Sequence, residues 1–276
     1  MPGQNSVHQG GPWARLFALP NEHPAKTLMI ALILCLVCSA LVSAAAILLK
    51  PRQLENEELL AKQREILRAV GLYRDRESIS ATFKNAEPRL VDLATGEYVT
   101  DIDAATYNYN RAILDPATRL EIAPEDDIAK VYAIAKYAPV FLFQEQGVTT
   151  HIVVPVYGYG LWSTMYAYLA VEADGNQVAG ISFYKHGETP GLGGEIANPR
   201  WQESWKGKRI YDSRGKVRLA LVKGADSEPA SAPFQVDALS GATLTSNGVT
   251  NLIRFWLGDQ GYGPYFRRHF RQGGES

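Results

Sequence analysis

The sequence predicts an α+β protein, in which a single N-terminal transmembrane helix precedes a domain built on a largely antiparallel, curved sheet flanked by helices. Three observations predict it. Thr27 to Leu49 contains no charged residue. From Val148 onward, runs rich in β-branched and aromatic residues alternate with turn residues. After Thr245-Ser246, apolar residues recur with the period of an amphipathic helix. The strands and helices do not alternate strictly, which indicates α+β rather than a parallel α/β sheet.

Residues 1–26 form a short leader and residues 27–49 the transmembrane helix, in which only Thr27, Ser39 and Ser43 are polar. As a helix this stretch is roughly 35 Å long, enough to cross a bilayer. The apolar part of a cleaved signal peptide is only about 7 to 15 residues long, so an uncleaved anchor is the better reading. Arg15 and Lys26 precede it, whereas Lys50, Arg52, Lys62, Arg64 and Arg68 follow. Counting basic residues alone therefore places the C-terminal part in the cytoplasm, although Glu55, Glu57 and Glu58 lie among those bases and long domains translocate largely regardless of charge. Cys35 and Cys38 fall on one helix face. They are either thiolates contributed to an iron centre shared with a partner subunit, or small residues of a packing face that includes Ala40, Ser43, Ala44, Ala45 and Ala46.

Residues 50–147 are expected to form a stalk helix and the first part of the domain. Leu54, Leu59, Ile66, Leu67 and Val70 recur at helical spacing, and an apolar stretch from Val131 to Phe143 carries no motif. Residues 148–258 hold the strands. An antiparallel meander is expected from Ile152 to Val156, Leu161 to Val171 and Val178 to Tyr184, and a further pair around Arg209–Tyr211 and Val217–Val222. Val249, Leu252, Ile253, Trp256 and Leu257 then make the helical stripe, and residues 259–276 a C-terminal tail.

With 28 Lys+Arg against 29 Asp+Glu, the chain lacks the basic footprint that nucleic-acid binding needs, so no nucleic-acid partner is expected. Its 2 cysteines both lie in the anchor, so disulfides, zinc clusters and thiolate nucleophiles are excluded downstream. The five histidines show no metal spacing, and there is no Gly-x-Ser-x-Gly nucleophile elbow. No catalytic residue and no metal ligand is assigned to the domain.

Four features carry chemistry. Asp237-Ala-Leu-Ser240-Gly241-Ala242-Thr243-Leu-Thr245-Ser246 runs into the stripe helix, where unpaired N–H groups and the macrodipole favour an anion such as a phosphate. Plain capping by Thr245 or Ser246 is the alternative. His186-Gly187-Glu188-Thr189-Pro190-Gly191-Leu192-Gly193-Gly194-Glu195-Ile196 is a glycine-rich loop that permits close backbone approach to a ligand, or an ordinary turn. It lacks the Gly-x-Gly-x-x-Gly dinucleotide spacing. His186 beside Glu188 is either an acid/base pair or part of the frame of a ligand site. Tyr157-Gly158-Tyr159-Gly160-Leu161-Trp162 either presents a ring to a flat ligand or is a glycine-bent strand with a core Trp. Lys223 is a cation for an electron-rich ligand or a solvated lysine.

These motifs together resemble the C subunits of sodium-translocating NADH:quinone reductases, a family of covalent FMN-binding proteins. Asp237 to Thr245 fits the flavinylation pattern Asp-x-x-Ser/Thr-Gly-Ala-Ser/Thr-x-Thr, alongside HGETPGLGGEI at 186–196, GYGLW at 158–162 and the anchor. The resemblance implies that residues 148–258 are the FMN-binding domain, with FMN esterified through its phosphate to Thr245. It also implies that Ser240 and Thr243 help bind the cofactor, that Asp237 and Ser240 are recognition or support positions, and that Gly241 and Ala242 are motif positions keeping the hydroxyl reachable. Glu188, Thr189, Leu192 and Gly193 would line the flavin, with Trp162 near its ring and Lys223 near its polar edge. It also implies a flavin transferase that uses FAD and releases AMP. The other partners would be the remaining subunits of a membrane redox complex and the lipid. The implied role is electron relay within a complex that oxidises NADH, reduces ubiquinone and exports sodium, the protein being inactive alone. The flavin domain would be periplasmic at the bacterial inner membrane with the N-terminus cytoplasmic, contrary to the basic-residue count. The alternatives are the flavin subunit of the related ferredoxin:NAD complex and a non-redox membrane-anchored binding or assembly module.

Overall fold

The computed structural model describes residues 20, 23–75, 77–225 and 230–270. Most of the leader, with His8 and Arg15, and residues 271–276 of the tail lie outside the described residues. The first helix, α1, runs Pro24–Val70. Its part from Lys26 to Lys50, with a mean hydropathy of 2.8, is long and apolar enough to cross a membrane, and fits a single-pass membrane protein. The chain separates into two compact units at Leu59/Leu60.

In the second unit α1 ends in a Schellman motif. The Leu72 N–H bonds the Leu67 carbonyl at 2.9 Å and the Gly71 N–H bonds the Arg68 carbonyl at 3.0 Å, with Gly71 at φ +82°. That left-handed position is why a glycine stops the helix there. The chain continues through α2 (Ile79–Phe83), β1 (Ala86–Asp92), β2 (Tyr98–Val99), α3 (Tyr109–Leu114), β3 (Arg119–Glu121), β4 (Ala133–Ala135) and β5 (Tyr137–Glu145). It then forms β6 (Val148–Tyr159), β7 (Thr164–Glu172) and β8 (Val178–Lys185). Six strands make one antiparallel sheet in the order β2-β1-β5-β6-β7-β8. The expected 147/148 division falls at the tight turn between β5 and β6, and the sheet runs across it.

Alternation along the strands separates two cores. Val140, Leu142, Ile152, Val154, Val156, Leu169 and Val171 face one side, which is filled by the C-terminal helices. Phe141, Phe143, Val153, Tyr168 and Ala170 face the other, closed by Ile66, Leu67, Ala69 and Val70 of α1. This period-2 split is how one sheet serves two layers.

After β8 come a 3₁₀ turn (Gly193–Ala197), α4 (Pro199–Glu203), β9 (Ala220–Val222), β10 (Gln235–Asp237), α5 (Thr243–Trp256) and α6 (Gly263–His269). The expected stripe is realised: Val249, Leu252, Ile253, Trp256 and Leu257 are fully buried. The expected strand pair at 209–222 is not. Asn176 intervenes: its carbonyl accepts the Ile210 N–H at 2.8 Å and its Oδ1 the Tyr211 N–H at 2.7 Å. Between the two segments the Tyr211–Val217 bridge remains, together with the N–H groups of Arg218 and Leu219 bonded to the Ile210 carbonyl at 2.8 and 3.2 Å, without forming a ladder. β9 instead pairs in parallel with β10, setting Val222 beside Asp237 at the head of the candidate site. The expected strand from Leu161 begins only at Thr164, because the backbone of Leu161 to Ser163 is engaged elsewhere.

Candidate functional site

The site forms where the 186–196 loop, the turn between β6 and β7, and the start of α5 meet. At its centre the Thr245 hydroxyl donates a 2.6 Å hydrogen bond to Oε2 of Glu188. Both residues are buried, at 1% and 4% exposure. The Glu188 carboxylate also accepts backbone N–H groups: Leu161 at 3.1 Å, Trp162 at 3.0 Å and Ser163 at 3.3 Å. These three N–H groups are the reason the β7 ladder starts late. Burial pushes the carboxyl up. The Thr245 hydroxyl and the N–H groups of Trp162, Leu161 and Ser163 outweigh it and hold its pKa below the ordinary value.

Glycines make this meeting possible. A Cβ at Gly193 would lie 2.5 Å from Thr245 Oγ1 and 3.0 Å from Glu188 Oε2, and one at Gly160 would lie 2.6 Å from Glu188 Oε1. Turn bonds fold the loop: the Thr189 carbonyl accepts the N–H groups of Leu192 at 3.1 Å and Gly194 at 2.8 Å. Ser163 closes it from the other side, its Oγ accepting the Gly187 N–H at 2.6 Å.

The start of α5 is not capped by a side chain. Ala242 occupies the cap position. Ser246 turns back, its Oγ accepting the Leu239 N–H at 3.0 Å, while Thr245 is bound to Glu188. Neither of the expected caps forms, and the N–H groups of Thr243, Leu244 and Thr245 have no acceptor among the described residues. Around this start, Leu161, Trp162, Leu192 and Leu244 are exposed at 38%, 65%, 44% and 59%. Leu192 lies beside Gly241, whose φ is +71°.

Of the residues singled out in the sequence, the structure joins Thr245, Glu188, Gly193 and the backbone of Trp162 in one cluster. Thr189 and Leu192 shape the loop, and Ala242, Gly241 and Thr243 lead into α5. Asp237 is structural, its Oδ1 accepting the Ala225 N–H at 2.8 Å and its carbonyl the indole of Trp201 at 2.9 Å. Ser240 and Lys223 are exposed, Lys223 in the turn after β9, and neither bonds to Thr245 or Glu188. His186 is not paired with the Glu188 carboxylate, because its Nδ1 accepts the Glu188 backbone N–H at 3.3 Å. Cys35 and Cys38 are exposed on α1, and among the described residues no cluster of His, Cys, Asp or Glu could hold a metal. Thr245 is 1% exposed, its hydroxyl lying against Gly193 and hydrogen-bonded to Glu188. Sequence reasoning missed Ser163 and the N–H groups of Leu161 and Ser163. The adjoining Gly160, which admits the carboxylate, was the available signal.

A buried hydroxyl at an uncapped helix start, a glycine cradle and exposed apolar side chains together fit a phosphate carrying a flat, largely apolar group. Comparison with known proteins agrees: residues 160–258 match the FMN-binding domain family. This is a flavoprotein fold, with FMN as its cofactor. The C subunit of the Na(+)-translocating NADH-quinone reductase of Haemophilus ducreyi is 47% identical over 250 residues, covering 90% of this chain and 95% of that protein. The equivalent protein of Pseudomonas aeruginosa is 44% identical over 250 residues, with 89% and 95% covered. The crystal structure of Shewanella oneidensis NqrC superimposes with a TM-score of 0.69 at 38% identity, over 77% of this chain and 96% of that one. The chain belongs to the family of C subunits of Na(+)-translocating NADH-quinone reductases.

Proposed function

We propose that the chain carries FMN covalently, through a phosphoester at Thr245, and relays electrons between other subunits of a sodium-translocating NADH:ubiquinone oxidoreductase. The observation that carries the reading is the Thr245 hydroxyl at the start of α5, beside three backbone N–H groups with no acceptor among the described residues. An ester there leaves one negative charge on the phosphate, at the end of a helix that favours it.

Bound FMN supplies the one-electron chemistry, and the chain supplies position and surroundings. The N–H groups of Thr243 to Thr245 hold the phosphate, with the Ser240 and Thr243 hydroxyls nearby in sequence. Gly241 and Ala242 let the backbone approach, and Asp237 braces the segment through the Ala225 N–H. Leu192, Thr189, Gly193 and Glu188 form the wall on the loop side. Trp162, exposed, offers its indole face to the ring, and Lys223 a cation to a polar edge. The Lys26–Lys50 helix anchors the protein in the lipid of a bacterial inner membrane, with the N-terminus cytoplasmic and the flavin domain periplasmic. A flavin transferase with FAD as donor installs the group, and the electron partners are other subunits of the complex.

The test is in-gel flavin fluorescence of the full-length chain after denaturation, produced with and without a flavin transferase. Fluorescence that survives denaturation and depends on the transferase is the expected result. A dark band in the presence of an active transferase would overturn the covalent reading.

A further inference from the structure

The Thr245 hydroxyl is engaged by a carboxylate that three backbone N–H groups also hold. Glu188 is fixed by Leu161, Trp162 and Ser163, and its Oε2 receives the Thr245 hydrogen at 2.6 Å. We propose that Glu188 takes the Thr245 proton as Oγ1 bonds to phosphorus, so that the chain brings its own general base to its modification. The proposal rests on the reading of Thr245 as the flavin-bearing residue.

The step balances without oxidation or reduction. Oγ1 attacks the FMN-side phosphorus of FAD, the Oγ1–P bond forms, and the P–O bond to the adenylate breaks. AMP leaves with the electron pair of that bond, and the Oγ1 proton passes to Glu188 Oε2 and then to water. A free threonine hydroxyl is far too weak an acid for a carboxylate. As the bond to phosphorus forms, however, the oxygen gains positive character and its proton becomes acidic, so a weak, well-placed base suffices late in the step.

Geometry leaves no rival among the described residues. His186 is turned to the Glu188 backbone, and the Glu195 carboxylate accepts the Asn198 side-chain amide at 2.7 Å. Gly160 and Gly193 are the positions where any Cβ would press on the Glu188 carboxylate, so the two glycines keep open the space in which hydroxyl and carboxylate meet. Once esterified, Oγ1 has no hydrogen to give, and Glu188 returns to the three N–H groups alone.

The test measures attachment by flavin fluorescence and intact mass, using the full-length chain in detergent with FAD and a flavin transferase. Glu188→Gln is expected to lower the maximal attachment rate by about 100-fold or more, the usual contribution of a general base, with the KM for FAD unchanged. Glu188→Asp should fall between it and the parent chain. Attachment to folded Glu188→Gln at the parent rate would overturn the role of Glu188, as would a change confined to KM. If Glu188→Gln melts below the assay temperature, Glu188→Asp decides: its carboxylate is drawn back by one methylene, and an unchanged maximal rate would contradict the proposal. A parent chain that takes up no covalent flavin refutes the underlying reading instead, so the two failures are distinguishable.

Discussion

Gly193 lies against Thr245 so closely that a Cβ on residue 193 would stand 2.5 Å from the threonine Oγ1. The loop is therefore not a loose flap over α5 but is fitted to one hydroxyl. Gly193→Ala should displace the loop or the hydroxyl, at a stability cost of about 1–3 kcal/mol, the usual range for overpacking a buried site. Denaturant melts should show that loss, and covalent flavin per chain should drop in the same variant.

Glu188 gives a pH signature. Its folded pKa is lowered, so its contribution to stability is complete above the ordinary glutamate value of 4.5 and is lost as pH falls through the folded value. Near neutral pH, Glu188→Gln should be less stable than the parent by about 1–3 kcal/mol, because an amide cannot satisfy all the donors aimed at the carboxylate. The gap should narrow in acid, below pH 4.5. Melts of both proteins at neutral and acid pH check it, and a gap that widens on acidification would contradict the assignment.

Gly180 in β8 provides a control remote from the flavin chemistry. A Cβ there would run into the backbone carbonyl of Ala69, at the end of α1. Gly180→Ala should push the helix end off the sheet and destabilise the domain by about 1–3 kcal/mol or more, while the folded fraction still accepts flavin at the parent rate.

Trp162 is 65% exposed, so Trp162→Ala should change stability by less than about 0.5 kcal/mol, as expected for an exposed position. If its indole lies against the ring as proposed, the variant should still carry flavin, but with brighter fluorescence in the folded state. Identical fluorescence in the two folded proteins would place the indole away from the ring.

Local signals were legible and long-range ones were not. The anchor and the α5 stripe depend on the spacing of neighbouring residues, and both formed as read. The Val131–Phe143 stretch could be read only as apolar because β4 is buried throughout and β5 is buried from Ala138 to Phe143, so no alternation marks either strand. The motif residues could be named from sequence, but not their contacts. Glu188 meets Thr245 across 57 residues and the Trp162 N–H across 26. Nothing local tells Ser246 to bond Leu239 rather than cap α5. The late start of β7 follows from the same contact, since Leu161 to Ser163 give their N–H groups to a side chain instead of a strand.

The most direct test of covalent attachment at Thr245 is peptide mass analysis of the full-length chain after production with an active flavin transferase, alongside Thr245→Val. Valine keeps the shape of threonine and removes only the hydroxyl, and Glu188 retains its three N–H donors. The expected result is an FMN adduct on the peptide containing Thr245, localised to that residue, and a folded Thr245→Val chain with no adduct. An adduct on another residue, or one retained in Thr245→Val, would contradict it.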